Sequence, residues 1–112
     1  MLTTLRNFLT FGEAKLLTEK EFVSVPELGP MPYEDIEVKI YIHKDQYIRG
    51  LEKEILTTKG MLPPKVQLYL REKGGHYWKS IPIKDADWRN LQYLLSRVSE
   101  EQVEYFSACL NN

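Results

Sequence analysis

The run Pro63-Pro64-Lys65-Val66-Gln67-Leu68-Tyr69-Leu70-Arg71-Glu72-Lys73-Gly74-Gly75-His76-Tyr77-Trp78-Lys79-Ser80-Ile81-Pro82-Ile83 reads as two strands joined by a tight turn. Val66, Leu68 and Leu70 alternate with Gln67, Tyr69 and Arg71, the period of a strand with one face buried. Gly74-Gly75 between two alternating runs is a two-residue hairpin signal, because such a turn needs positive φ without a Cβ penalty. The second strand is expected over 76–83. The register follows from the loop: Arg71 faces Trp78, Leu70 faces Lys79, Tyr69 faces Ser80 and Leu68 faces Ile81. One face then carries Val66, Leu68, Leu70, Ile81 and Ile83. The other carries Gln67, Tyr69, Arg71, Trp78 and Ser80.

Downstream, Asp85 or Asp87 is expected to cap a helix. Trp88, Leu91, Leu94, Leu95 and Val98 form its apolar stripe at helical spacing. Ser99-Glu100-Glu101-Gln102 matches a capping box, so a second helix is expected to restart there, burying Val103, Phe106 and Leu110.

Upstream, residues 36–43 alternate cleanly: Ile36, Val38, Ile40 and Ile42 inward, Glu37, Lys39, Tyr41 and His43 outward. Lys39 and Tyr41 repeat the basic-plus-aromatic theme of the hairpin's polar face and extend it. Residues 44–60 read two ways. As a helix over 45–58, Asp45 caps it and Tyr47, Ile48, Leu51 and Ile55 make the stripe, although Gly50 would cost about 1 kcal/mol relative to Ala. As strands, 46–48 ends the first, Arg49-Gly50 turns, and 51–58 returns. The local pattern leans to helix.

Residues 2–9 are a short helix candidate, and 14–25 are ambiguous between a capped helix and a strand. Pro26, Gly29, Pro30 and Pro32 mark a loop expected to carry no regular structure. They divide an acidic N-terminal arm, 1–32, from an α+β domain, 33–112. The fold expected is an antiparallel sheet of three to four strands with the C-terminal helices packed on one face.

Composition bounds the function. The 112 residues suit one domain with a modest core. No apolar run reaches the ~20 residues of a membrane span, and no secretion signal opens the chain, so a cytoplasmic or nucleoid-associated protein is expected. The lone Cys109 excludes an internal disulfide and is expected to be a buried structural thiol. Net charge is −4 over 1–38, +6 over 39–98 and −3 over 99–112. A basic middle between acidic flanks is compatible with a polyanion-binding face. His43, His76 and Cys109 do not make a zinc set, Gly74-Gly75 lacks the Lys-Ser/Thr of a phosphate loop, and the carboxylate pairs Glu52/Glu54 and Asp85/Asp87 are read as a solvated face and a helix cap. No catalytic residue, metal or cofactor is expected.

Lys53-Glu54-Ile55, then Pro63-Pro64-Lys65, Leu70-Arg71-Glu72, Lys79-Ser80-Ile81, and a helix bearing Trp88 and Leu91 together resemble the transcriptional-coactivator family called positive cofactor four, in its short bacterial and phage forms. The resemblance covers about 51–95. The family's Lys-Gly-Ile is Lys-Ser-Ile here, and the aromatic that follows Arg-Glu in the family is absent. The resemblance implies a strand at 51–58, dimerisation through the C-terminal helices, and single-stranded DNA bound on the sheet in transcription, replication or recombination. The nucleic-acid-binding residues expected are Lys39, Tyr41, Lys65, Gln67, Tyr69, Arg71 and Trp78. A protein-interaction module, a small regulator or inhibitor using the acidic arm or the Tyr69/Trp78 face, is the competing expectation.

Overall fold

The computed structural model describes residues 17–18, 21–25, 28–58, 63–83 and 87–110. Its elements are β1 (Leu17–Thr18), β2 (Phe22–Val25), β3 (Gly29–Pro32), β4 (Ile36–His43), α1 (Glu52–Thr57), β5 (Val66–Glu72), β6 (Lys79–Ile81), α2 (Trp88–Arg97) and β7 (Val103–Ala108), with single 3-10 turns before β4 and β7. β1, β2 and β3 form a small antiparallel sheet. The main sheet has the order β6-β5-β4-β7 and is mixed: β7 runs parallel to β4, and the other pairs are antiparallel. The fold is thus α+β, but among the described residues it has two sheets and one C-terminal helix.

β4 is the centre. Ile36, Val38, Ile40 and Ile42 point to one face and are buried together with Leu68, Leu70 and Ile81 of the neighbouring strands. Leu91, Leu94 and Leu95 of α2, with Val98 just past its end, close this core, and Trp88 packs at its margin. Each such side chain contributes about 1.5–3 kcal/mol when fully buried. Asp87 takes the N-cap position of α2 and is itself buried, but its side chain makes no capping hydrogen bond. Asp85 lies outside the described residues, as do residues 2–9.

The hairpin follows the register implied by its loop, with Leu70 opposite Lys79, Tyr69 opposite Ser80 and Leu68 opposite Ile81. Its second strand is shorter than expected: β6 spans Lys79–Ile81, and 73–78 form a wide connection. Gly74 sits at φ +79°, and a Cβ on Gly75 would lie 2.9 Å from the Glu72 carbonyl oxygen, so each glycine is required for its own reason.

Four expectations of local structure are corrected. Residues 51–58 are not a strand; α1 occupies 52–57. The helix that the local pattern favoured begins seven residues after Asp45, just past Gly50, so the glycine lies outside it. Glu52 secures the start, accepting from the Tyr47 hydroxyl at 2.8 Å and the Gly50 N–H at 3.1 Å. Thr57 and Thr58 donate their hydroxyls back to the carbonyls of Lys53 and Glu54, both at 2.6 Å, the helical use of a residue otherwise unfavourable there. Leu56 is fully buried and anchors the helix on the core.

The second C-terminal helix is likewise absent. The Ser99 N–H does donate to Gln102 Oε1 at 2.9 Å, as a capping box requires, but the turn stops after Glu100–Gln102. Gln102 Nε2 then donates to the carbonyls of Tyr33 at 2.7 Å and Ile36 at 2.8 Å, which aims the chain along β4. Val103 and Tyr105 pack on the core, so the segment reads with period 2 and not 3.6. The pair of C-terminal helices expected to carry a dimer is therefore one helix and one strand.

The Pro/Gly stretch is also structured. Pro30 lies opposite Ser24 and Pro32 opposite Phe22 on β3, an edge strand, where a missing N–H is tolerated. Val23, Val25 and Met31 join the common core, which resolves the ambiguity at 22–25 in favour of a strand. Lastly, Cys109 is exposed, not buried, because it lies just past the end of β7.

Candidate nucleic-acid interface

The face of the main sheet opposite the core is built by the odd residues of β4 and β5 and the even residues of β7. The registers set Glu37 beside Arg71, Lys39 beside Tyr69 and Tyr41 beside Gln67. On the other flank of β4 they set Glu104 beside Lys39 and Phe106 beside Tyr41. Lys39, Tyr41, Tyr69, Arg71, Trp78 and Phe106 are all half-buried, whereas Lys65, Gln67, Ser80 and Glu104 are exposed.

Trp78 approaches from the connection before β6 and meets two cations. Lys39 Nζ and the Arg71 guanidinium each lie 4.4 Å from the centre of its ring, close enough for cation–π attraction of about 0.5–1 kcal/mol at an exposed site. Arg71 Nε also donates to Glu37 Oε1 at 2.7 Å. That hydrogen bond, chiefly, holds the Glu37 carboxyl below its ordinary range. The other rings form a row: Tyr69 meets Tyr41 edge-on at 5.6 Å, and Tyr41 stacks on Phe106 at 4.8 Å.

Of the seven expected residues, Lys39, Tyr41, Gln67, Tyr69, Arg71 and Trp78 share this face. Lys65 precedes β5 on the same alternation; its N–H donates to Gln46 Oε1 at 2.7 Å and its carbonyl accepts from His43 at 3.0 Å. The ring partner of Tyr69 is Tyr41, rather than Trp78 across the hairpin. Phe106 and Glu37 were missed as parts of the site. The alternation of Val103 and Tyr105 with Glu104 and Phe106 was the available signal for Phe106, masked by the capping box before it. Glu37 was legible as an outward residue of β4 but not as the partner of Arg71.

Away from this face, an open cleft of about 460 Å³ lies beside the end of α2, lined by Phe22, Pro32, Tyr33, Arg97, Ser99 and Gln102 among others. Arg97 sits over the rings of Tyr33 and Tyr93 there, at 5.6 and 5.9 Å. Among the described residues no group of three or more His, Cys, Asp or Glu side chains could hold a metal ion, and no helix is long and apolar enough to cross a membrane. The chain matches no protein-family model, no curated protein and no solved structure.

Proposed function

We propose that this chain is a non-enzymatic binder of single-stranded nucleic acid, and that the outer face of the main sheet is its platform. The observation that carries the reading is Trp78 with Lys39 and Arg71 both 4.4 Å from its ring centre, continuous with Tyr69, Tyr41 and Phe106. Bases stack on aromatic rings regardless of identity, and cations alongside neutralise phosphates. Stacking of a base contributes about 1–3 kcal/mol, against about 0.5–1 kcal/mol for an exposed cation–π contact. Exchange of a resident cation for a base is therefore favourable, and it releases that cation to a phosphate.

The test is a titration of the full chain with mixed-sequence oligonucleotides at low salt. Trp78 emission quenches, and Trp88, at the core margin, stays silent. Trp78→Ala weakens binding about tenfold or more, since ~1.4 kcal/mol is a factor of ten. With Lys39, Lys65 and Arg71 on three phosphates, log K falls with log salt at a slope near −2, about −0.7 for each. Unchanged emission, or a folded Trp78→Ala that binds as well as the parent, defeats the reading. A protein partner is then favoured, because Glu37 on Arg71 and Glu104 beside Lys39 give the face acids as well as bases.

A further inference from the structure

The two edges of the main sheet are unlike. β6 has three residues, begins with Lys79 and is followed by Pro82, so it offers little to a second strand. β7 has six residues, Val-Glu-Tyr-Phe-Ser-Ala, with neither Pro nor Lys and a single charge. Among the described residues no strand lies beyond it. Which of its backbone groups are free follows from two bonds. The His43 N–H donates to the Lys65 carbonyl on the β5 side, and the Lys44 N–H donates to the Ala108 carbonyl on the β7 side. By alternation, Glu104, Phe106 and Ala108 turn their N–H and C=O groups to β4, and Tyr105 and Ser107 turn both of theirs outward; Val103 turns out its C=O alone, its N–H being held by the Glu100 carbonyl.

We propose that this free edge is a self-association surface: two copies of the chain pair β7 antiparallel about a two-fold axis at Tyr105, joining two four-stranded sheets into one. A second copy fits better than an arbitrary peptide because the strand is complementary to itself in this register. Tyr105 faces its own copy and exchanges two hydrogen bonds with it, and Val103 faces Ser107, whose N–H donates to the Val103 carbonyl, so every outward N–H left free on β7 finds an acceptor. The lone charge, Glu104, then faces the Phe106 ring of the second copy and never the second Glu104. Moving the axis to Phe106 would leave Val103 without a strand partner. A strand pair of this length is small beside a standard interface, so association is expected in the micromolar range, on the order of 1–100 µM. The inference does not depend on nucleic-acid binding.

The exposed Cys109 supplies the probe, four residues from the axis. With a nitroxide on Cys109 of the full chain at about 100 µM, pulsed dipolar spectroscopy should report two labels eight residues apart along the sheet, about 27 Å at ~3.4 Å per residue. Ser107→Pro should abolish the coupling while the circular dichroism stays that of the parent. Ser107 is exposed and its N–H points outward, so proline there breaks no bond within the chain. A monomer without dipolar coupling at this concentration overturns the proposal. So does a distance near 20 Å, which an axis at Phe106 would produce, or coupling undiminished in a folded Ser107→Pro.

Discussion

Arg71 and Glu37 stand opposite each other in the β4·β5 register, and the guanidinium Nε donates to the carboxylate at 2.7 Å. Their side chains are 28% and 33% exposed, so water screens the pair and its net contribution to stability is small. Its larger effect is on charge: Glu37 neutralises one of the two cations beside Trp78. Glu37→Gln should therefore leave thermal stability nearly unchanged and strengthen oligonucleotide binding, with the salt slope staying at about −2 because Arg71 is already one of the three phosphate contacts. Weaker binding in this variant would show that Arg71 needs Glu37 for its position.

Gln102 reaches from the turn before β7 to two backbone carbonyls, those of Tyr33 and Ile36. Gln102→Ala leaves both without this donor and loosens the entry of β7. Stability should fall by about 1–3 kcal/mol, the cost of an unsatisfied buried polar group. Chemical denaturation of parent and variant measures the difference. A change under about 0.5 kcal/mol, the usual size of a neutral surface substitution, would mean that water replaces the amide.

Leu70 is fully buried on β5, and Tyr77 is 84% exposed in the connection that follows it. Leu70→Ala should cost about 2–5 kcal/mol through lost transfer energy and a cavity. Tyr77→Ala should change stability by no more than about 0.5 kcal/mol. The contrast tests that β5 contributes Leu70 to the core while the connection carrying Tyr77 lies outside it.

The Tyr105 phenol is pushed up to about 12, first by burial and then by the charges of Glu52, Glu100 and Glu54. Its folded value lies above the unfolded value of ~10. The stabilisation it brings is therefore complete below about pH 10 and is lost as pH rises from there towards 12. Tyr105→Phe should hold the fold to higher pH in an alkaline titration followed by circular dichroism. Identical alkaline midpoints would place the transition on another group; Tyr47, raised by its hydrogen bond to Glu52, is the next to replace with Phe.

Period-2 alternation made β4 and β5 readable, because β4 buries one complete face and β5 buries the middle of its own, and the glycine pair set the β5·β6 register. The α2 stripe was legible for the same reason at period 3.6. At 99–110 a local signal was outweighed by contacts distant in sequence. Ser99-Glu100-Glu101-Gln102 promised a helix, but the Gln102 amide is claimed by Tyr33 and Ile36. Thr57 and Thr58 argued against a helix end until their hydroxyls found Lys53 and Glu54. The outer-face residues were placed correctly by parity alone. Their partners were not, since neither the turn of Trp78 onto Lys39 nor the arrival of Phe106 beside Tyr41 is encoded locally.

The parallel pairing of β7 with β4 has a kinetic consequence. Val38 meets Val103, sixty-five residues later in the chain. Translation at ~5–20 residues per second leaves β4 synthesised for roughly 3–13 s before its second neighbour exists. Through that interval one side of the central strand has no native partner, and closing so long a loop carries an entropic cost before the contact rewards it. Docking of β7 is thus the expected slow step of folding. Amide protons of Ile40 and Ile42, whose backbone groups face β7, should gain protection in a later phase than those of Lys39 and Tyr41, which face β5.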